Sequence, residues 1–150
     1  MSQSLARNLI HLVYSTKNRM PCLTADLRAG LFAYKAGILQ EWKSPAIVIG
    51  GVADHVHLLF LLSKNEALAK VVEQVKVGSS KWIKTQGAHF HNFHWQAGYG
   101  AFSVSESNFE RVKTYIEQQE EHHRRMSFQD EFREFLKRHG IEFDERYVWD

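Results

Sequence analysis

Residues 46–62 of the chain read AIVIGGVADHVHLLFLL, and this stretch decides the predicted fold. Its two apolar segments, 46–52 and 55–62, have the composition of buried β-strands. Only Ala53 and Asp54 separate them, so a short turn is expected to join the two strands. The centre of the chain is therefore predicted to hold two consecutive strands.

The segments on either side of this pair complete the pattern. Apolar periodicity predicts a strand at 7–16, a helix at 25–42 with Thr24 as its N-cap, a helix at 67–84, and a strand with glycine interruptions at 94–104. The order β-α-β-β-α-β is the split-βαβ or ferredoxin-like pattern. We predict an α+β fold, a ferredoxin-like sandwich with an antiparallel sheet. One face of the sheet would carry the helices, and the other would be free for a substrate, a partner or a second copy.

Additional helices are predicted near the C-terminus. One begins at Ser105 or Ser107 and runs to about Arg125, and another is capped by Ser127 and ends near Gly140. With no linker or repeat in the sequence, we expect a single domain over residues 1–150. The core-facing stripe of the helix at 25–42 is expected to be Leu27, Leu31, Tyr34, Ile38 and Trp42.

Composition excludes several classes of protein. Hydrophobic residues make up 44% and charged residues 24% of the 150 residues, which is typical of a globular domain and not of a disordered chain. The single cysteine, Cys22, excludes an internal disulfide framework and a cysteine-based zinc site. The sequence has neither an 18-residue apolar run nor a signal-peptide core, so we expect no membrane segment and a cytoplasmic location. It also lacks a Walker loop and a dinucleotide fingerprint, so no nucleotide cofactor is expected.

Charge is unevenly distributed along the chain. The net charge is +2, yet residues 120–150 contain six basic and nine acidic side chains. Residues 1–119 are therefore basic overall. This mildly basic segment, called the basic body below, permits a nucleic-acid partner without requiring one.

The pair His55 and His57 is the first candidate for chemistry. Side chains alternate across a strand, so both rings share one face, with Cα atoms about 6.6 Å apart. Two imidazoles at this spacing can bind one metal ion. Nine histidines make such pairs common by chance, and His89-Phe90-His91 is a second example. The alternative is a pair of hydrogen-bonded, partly exposed histidines, although a strand this apolar has little structural use for them.

Tyr115 and Gln119 are the second candidate. They are four residues apart on a predicted helix, which places them about 6 Å apart on one face. Tyr115 lies at the edge of the apolar stripe Phe109, Val112 and Ile116, where its ring is supported and its hydroxyl is accessible. On spacing alone, an ordinary amphipathic residue at the core edge remains the alternative.

The other histidines carry weaker signals. His89, His91 and His94, with Asn92, are expected to form a solvated loop, because they have no cysteine or carboxylate partner. His122 and His123 are expected to face solvent, and His11 to be a core or sheet-face histidine, with a supporting role near the site as the alternative. A basic and polar set is predicted to contact a DNA backbone, with a solvated helix face as the alternative: Lys17, Arg19, Lys76, Ser79 and Lys81.

Taken together, these stretches resemble the single-tyrosine HUH transposases of single-stranded insertion sequences, where HUH denotes two histidines flanking a hydrophobic residue. The resemblance extends in order over nearly the whole chain. Each motif alone is weak, but their combination is specific: DHVHLLF at 54–60, GSSKW at 78–82, WQAGYGAFSVS at 95–105, YIEQQ at 115–119 and FDERY at 143–147.

The resemblance implies a metal-dependent DNA strand transferase with a ferredoxin-like fold. A divalent metal, Mg²⁺ or Mn²⁺, would be held by His55 and His57, with Gln119 as third ligand. Tyr115 would attack single-stranded DNA near a hairpin, leaving a 5′-phosphotyrosine and a free 3′-OH. The family implies a homodimer in which the tyrosine helix of one subunit usually completes the histidine site of the other.

Other readings of the sequence remain open at this point. One is a non-catalytic nucleic-acid-binding module, supported by the basic body, the predicted free sheet face and aromatics such as Trp95 and Tyr99. Another is a small metal-bound dimer with a structural or regulatory role. A third is a domesticated relative of the transposases that is no longer mobile.

Overall fold

The computed structural model describes residues 2–150 and contains a four-stranded antiparallel sheet. Its spatial order is β2-β3-β1-β4. The strands are β1 (Asn8–Ser15), β2 (Ala46–Gly51), β3 (His55–Leu62) and β4 (Gly100–Ser103). The helices are α1 (Ala25–Glu41), α2 (Leu68–Lys84), α3 (Phe109–Glu117), α4 (Gln119–His122) and α5 (Phe128–Arg138). The predicted α+β, ferredoxin-like order of elements is confirmed.

Alternation along the two central strands separates two packing layers. Leu12 and Tyr14 of β1, with Leu58 and Phe60 of β3, pack against α1 and α2 in the main core. The opposite set of β1 and β3 side chains, to which His57 belongs, faces the C-terminal helices. The sheet therefore holds the predicted metal-binding histidines on the face opposite α1 and α2.

The prediction of a free sheet face is wrong. Ile116 of α3 packs on Leu9 and Leu59, in a cluster that lies on the face opposite α1 and α2. Further along the same face, α5 packs its own apolar stripe against Val13 and Phe102; that stripe consists of Phe128, Phe132 and Leu136. Both helices are amphipathic and lower their free energy by burying these side chains against the sheet.

Two predicted elements are shorter than expected. Within 94–104 only residues 100–103 form a strand, while Trp95 makes an isolated bridge with Thr16. Between them, Lys76 Nζ bonds the carbonyls of Gln96, Ala97 and Gly98. The helix predicted to reach about Arg125 ends at Glu117, where Gln118 adopts φ −102° and ψ 25°. After this break the chain turns back toward the sheet.

The core stripe of α1 differs from the predicted one at Tyr34, while Leu27, Leu31, Ile38 and Trp42 pack against the core as expected. Tyr34 is 42% exposed, whereas Lys35 is fully buried beside Leu31 and Leu39. The Lys35 ammonium lies 4.0 Å from the centre of the Trp95 ring and donates to the Tyr14 hydroxyl. Aromatic faces offset part of the cost of burying this cation, and burial lowers the pKa of Lys35 well below its ordinary value.

At Gly50 of β2 the backbone of α3 lies close to the sheet. A Cβ on Gly50 would overlap the Ile116 carbonyl oxygen and lie 2.9 Å from Ile116 Cγ2. Gly50→Ala is therefore expected to displace α3 and to lower the free energy of unfolding by about 1–3 kcal/mol. Urea unfolding would measure this change.

Gly37→Ala is the matched control for that substitution. Gly37 is exposed in the interior of α1, with no atom within 4 Å of an added Cβ. This substitution is expected to raise the free energy of unfolding by about 0.5–1 kcal/mol, because alanine has the higher helix propensity. Equal changes in the two variants would contradict the close packing of α3 on Gly50.

No helix within residues 2–150 has the length and apolar character needed to cross a membrane.

Candidate metal and nucleophile site

The two histidines of the HUH motif lie at the start of β3 and are both fully buried. Antiparallel pairing places Ser15 opposite His55 and Val13 opposite His57. His11, also buried, has its Nε2 2.8 Å from His57 Nδ1. The partly exposed pair that was the alternative reading is therefore excluded, and His11 contacts the site directly.

Two side chains that are not among the predicted site residues complete the cluster. Glu131 of α5 has an Oε1 atom 2.9 Å from His57 Nε2, and its Oε2 lies 3.1 Å from His123 Nε2. The ligand atoms of His55, His57, His123 and Glu131 all lie within 4.8 Å of one another. The structure thus brings three imidazoles and one carboxylate to one point beneath the C-terminal helices.

The hydrogen bonds behind the rings orient two of the imidazoles for metal binding. His55 Nδ1 donates to Asp54 Oδ1 at 2.7 Å, and His123 Nδ1 donates to the Met126 carbonyl at 2.7 Å. In the neutral rings both Nε2 lone pairs then point into the cluster, where the two Nε2 atoms are 3.0 Å apart. Facing lone pairs at this distance require a proton or a cation between them. Such backing bonds are typical of metal-ligating histidines, and the donor set fits a divalent metal ion.

Gln119 lies next to the same cluster. Its side chain is buried, with Oε1 3.4 Å from His55 Nε2, and its Nε2 donates to the Tyr115 carbonyl at 3.3 Å. The amide oxygen therefore faces the histidines, as a metal ligand would. Gln119 is the first residue of α4, directly after the break at Gln118.

The Tyr115 hydroxyl reaches the cluster from α3 of the same chain. It donates to Glu131 Oε2 and lies 3.1 Å from His122 Nε2. Its ring centre is 5.8 Å from that of His57. Burial and the neighbouring Glu131 carboxylate raise the pKa of Tyr115 above its ordinary value. The Tyr115 hydroxyl thus contacts the cluster of its own chain, and the exchange between subunits that the resemblance implies stays a prediction.

Glu131 is the electrostatic centre of the cluster. Burial opposes its ionisation. Where the imidazoles are protonated, the charge of His57 and hydrogen bonds from His123, His55 and His57 outweigh burial and hold the pKa of this carboxyl well below its ordinary value. The ionised group can only accept hydrogen bonds. Its two oxygens therefore link the Tyr115 hydroxyl to the imidazoles through hydrogen bonds.

The sequence did carry a signal for Glu131. The buried residues of α5 are spaced three and four apart, and Glu131 is one of them, along with Phe128, Phe132 and Leu136. A carboxylate inside such a stripe needs a buried partner. For His123 the prediction of a solvent-facing side chain is wrong, since only 9% of that side chain is exposed; the helix break at Gln118 turns it inward. His89, His91 and His94 are exposed, as predicted.

The predicted DNA contacts separate into two groups. Ser79 is fully buried, donating to the Val75 carbonyl and accepting from Trp95 Nε1, so a DNA contact by Ser79 does not fit this structure. The Lys76 ammonium bonds three backbone carbonyls, and burial lowers its pKa to about 8. Both residues support the 95–98 loop. Lys17 and Lys81 are exposed and Arg19 is half-exposed, so these three are available to a ligand.

Known proteins resemble this chain in sequence and in fold. The family model described as "Transposase IS200 like" matches residues 4–119. A candidate transposase from Deinococcus radiodurans R1 has a similar structure, with a TM-score of 0.62 and 22% identity over 79% of this chain and 98% of that chain. A REP-associated tyrosine transposase bound to a REP hairpin has a TM-score of 0.58 and 12% identity, over 79% of this chain and 72% of that one. Among curated proteins, none matches significantly. Because the family model spans most of the sequence, this chain belongs to the IS200-like transposase family.

Proposed function

We propose that this transposase-family protein cleaves and rejoins single-stranded DNA, with Tyr115 as the nucleophile. The observation that carries the proposal is the contact between the Tyr115 hydroxyl and the buried cluster of histidines and Glu131. A phenol held this close to possible metal ligands is suited to attack a phosphodiester. A tyrosine that only supported the core edge would not need these polar partners.

We propose that a divalent cation binds at this cluster. His55 and His57 would hold it with Gln119 as a third ligand, and His123 and Glu131 lie within reach of the same ion. The mixed nitrogen and oxygen donors suit Mn²⁺ better than Mg²⁺, which prefers oxygen ligands. When bound, the ion would neutralise charge that develops on the scissile phosphate.

The protein's own residues supply the nucleophile and hold its proton. The Tyr115 oxygen forms a bond to phosphorus while the bond from phosphorus to the 3′ oxygen breaks, which yields a 5′-phosphotyrosine and a free 3′-OH. The phenolic proton passes to Glu131 Oε2 or to His122 Nε2, which lies within 3.1 Å of the hydroxyl, and the leaving 3′ oxygen takes up one proton, so the step balances. The phosphotyrosine conserves the phosphodiester bond, so rejoining needs no nucleotide cofactor.

We propose that the DNA substrate includes a hairpin at each end of an insertion sequence. Support comes from the fold shared with a transposase bound to a REP hairpin. The exposed Lys17 and Lys81 and the half-exposed Arg19 are the proposed backbone contacts. We also propose a homodimer, whose two tyrosines would hold two cut ends during strand exchange.

The experiment that tests this function is an assay for a covalent protein–DNA adduct. Labelled single-stranded DNA from both flanks of the coding gene is incubated with the protein and Mn²⁺, Mg²⁺ or EDTA, and then run on a denaturing gel. We expect a metal-dependent adduct, stronger with Mn²⁺, that mass spectrometry maps to the peptide containing Tyr115. An adduct on another residue, or DNA binding without any adduct, would contradict the proposal and favour a binding module.

Metal binding can be tested without DNA. Calorimetric titration with Mn²⁺ is expected to show one site per chain. His57→Ala is expected to weaken that binding at least about 10-fold, since a ligand is lost. His91→Ala, which removes an exposed imidazole from a loop, is the matched control and should bind Mn²⁺ like the wild type. Equal affinity in both variants would exclude His57 as a ligand.

A further inference from the structure

A basic groove lies between α3 and α5, next to the candidate site. Its volume is about 540 Å³, within the range of roughly 300–1,000 Å³ found for ligand sites. The buried His11, which contacts His57, is part of its lining, so the groove adjoins the cluster through this histidine. The charged and titratable lining residues are Arg111, Arg138, His11 and His139, and no carboxylate is among the lining residues.

Helical spacing aligns this groove with the nucleophile. Arg111 precedes Tyr115 by four residues on α3, so both side chains lie on one face of that helix. Arg138 follows Glu131 by seven residues, two turns further along α5. The two helices thus present an arginine each on the side where Tyr115 and Glu131 meet.

Both arginines are available to bind an anion. Arg111 is exposed and forms no salt bridge within residues 2–150. The Arg138 side chain is 70% exposed, and its one ion pair, with Glu134, is long at 3.8 Å. Guanidinium groups bind phosphate oxygens in a bidentate manner. Two weakly paired guanidinium groups beside a site for phosphodiester chemistry are complementary in charge to a DNA backbone.

Aromatic rings form the wall between the arginines. Phe135 stacks on Phe102 with ring centres 5.4 Å apart, and it also contacts Tyr115 at 5.8 Å. The His139 ring lies 4.5 Å from that of Phe102. Phe102 is buried, so the half-buried Phe135 and the exposed His139 are the rings that can stack on unpaired bases, whatever their sequence.

We infer that this groove holds the single-stranded DNA next to the scissile phosphate, with Arg111 and Arg138 binding its backbone. The inference rests on the proposed function, because it assigns the path of the strand that Tyr115 would cut. It accounts for a basic groove whose lining residues His11 and Phe135 contact His57 and Tyr115, and it adds contacts distinct from the proposed ones at Lys17, Arg19 and Lys81.

The test measures binding without chemistry. A fluorescein-labelled, random-sequence DNA 12-mer is titrated in EDTA at several salt concentrations, with fluorescence anisotropy as the readout. The double variant Arg111→Gln, Arg138→Gln is expected to bind at least about 10-fold more weakly. The slope of log Kd against log salt should fall by about 1.4, since each single-strand phosphate contact contributes about 0.7.

Lys113→Gln, Lys137→Gln is the matched control, because it removes the same charge from the same two helices outside the groove. It should retain binding within about twofold of the wild type. Equal weakening in both double variants, or no binding of the 12-mer by the wild type, would overturn the inference. Because EDTA prevents cleavage, the binding test does not depend on the proposed chemistry. Weaker binding by the arginine variant, together with no adduct in the gel assay with metal, would refute the chemistry alone. An adduct in that gel assay, together with unchanged binding by the arginine variant, would refute the inference alone.

Discussion

Tyr115→Phe is expected to abolish the covalent protein–DNA adduct. Phenylalanine has no nucleophile, so adduct formation should fall by at least about 10⁴-fold, to the background of the assay. Binding of single-stranded DNA should change by no more than about twofold, because the ring and its contact with Phe135 remain. Gel analysis for the adduct and anisotropy for binding measure the two effects separately.

Two controls make this result specific to the hydroxyl. Tyr147→Phe removes a hydroxyl from a residue that is 64% exposed, and should leave adduct formation unchanged. The second control is a circular dichroism spectrum of the Tyr115→Phe variant, which must show that it is folded. It is needed because loss of the Tyr115 hydrogen bond to Glu131 is expected to lower the free energy of unfolding by about 1–2 kcal/mol. A Tyr115→Phe protein that still forms the adduct would exclude Tyr115 as the nucleophile.

Glu131→Ala is expected to have the largest effect on stability. The side chain of Glu131 is 2% exposed and bonds to His57, His123 and Tyr115. Its removal leaves buried polar groups without their shared acceptor and opens a cavity under α5, so we expect a loss of about 3 kcal/mol in the free energy of unfolding. Urea unfolding in EDTA measures this loss independently of any metal.

Glu134→Ala is the control for this measurement. It lies one turn along the same helix with a side chain that is 53% exposed, and surface substitutions of this kind change stability by no more than about 0.5 kcal/mol. Glu131→Gln preserves the shape and should fall between the wild type and Glu131→Ala. Identical urea midpoints for Glu131→Ala and Glu134→Ala would mean that the carboxylate does not stabilise the fold.

Local patterns in the sequence were sufficient for most of the fold. The strand pair at 46–62 and the caps Thr24 and Ser127 depend on residues close together in the chain, and both caps accept the predicted backbone bonds. The two-residue period also predicted that His55 and His57 share a face, because alternation is a property of the strand alone. The family motifs added roles for Tyr115 and Gln119, which remain predictions.

Other features could not be predicted because they depend on long-range packing. Periodicity shows which face of a helix is apolar, but not which other elements pack against that face. Lys35 is buried because Tyr14 and Trp95, distant in sequence, provide aromatic faces around it. Ser79 and Lys76 look like surface residues of a polar helix, yet their partners in the 95–98 loop make them structural.

The sequence by itself thus determined the order of elements, the shared face of the two histidines and the family of this protein. Only the tertiary structure decided that this face is covered, that Tyr115 reaches the histidines of its own chain, and that Glu131 joins them. The physical reason is distance along the chain: 74 residues separate His57 from Glu131. The burial of the apolar stripe of α5 against the sheet brings these two side chains into contact. The carboxylate inside that stripe shows that Glu131 needs a buried partner, but no local pattern shows that the partner is His57.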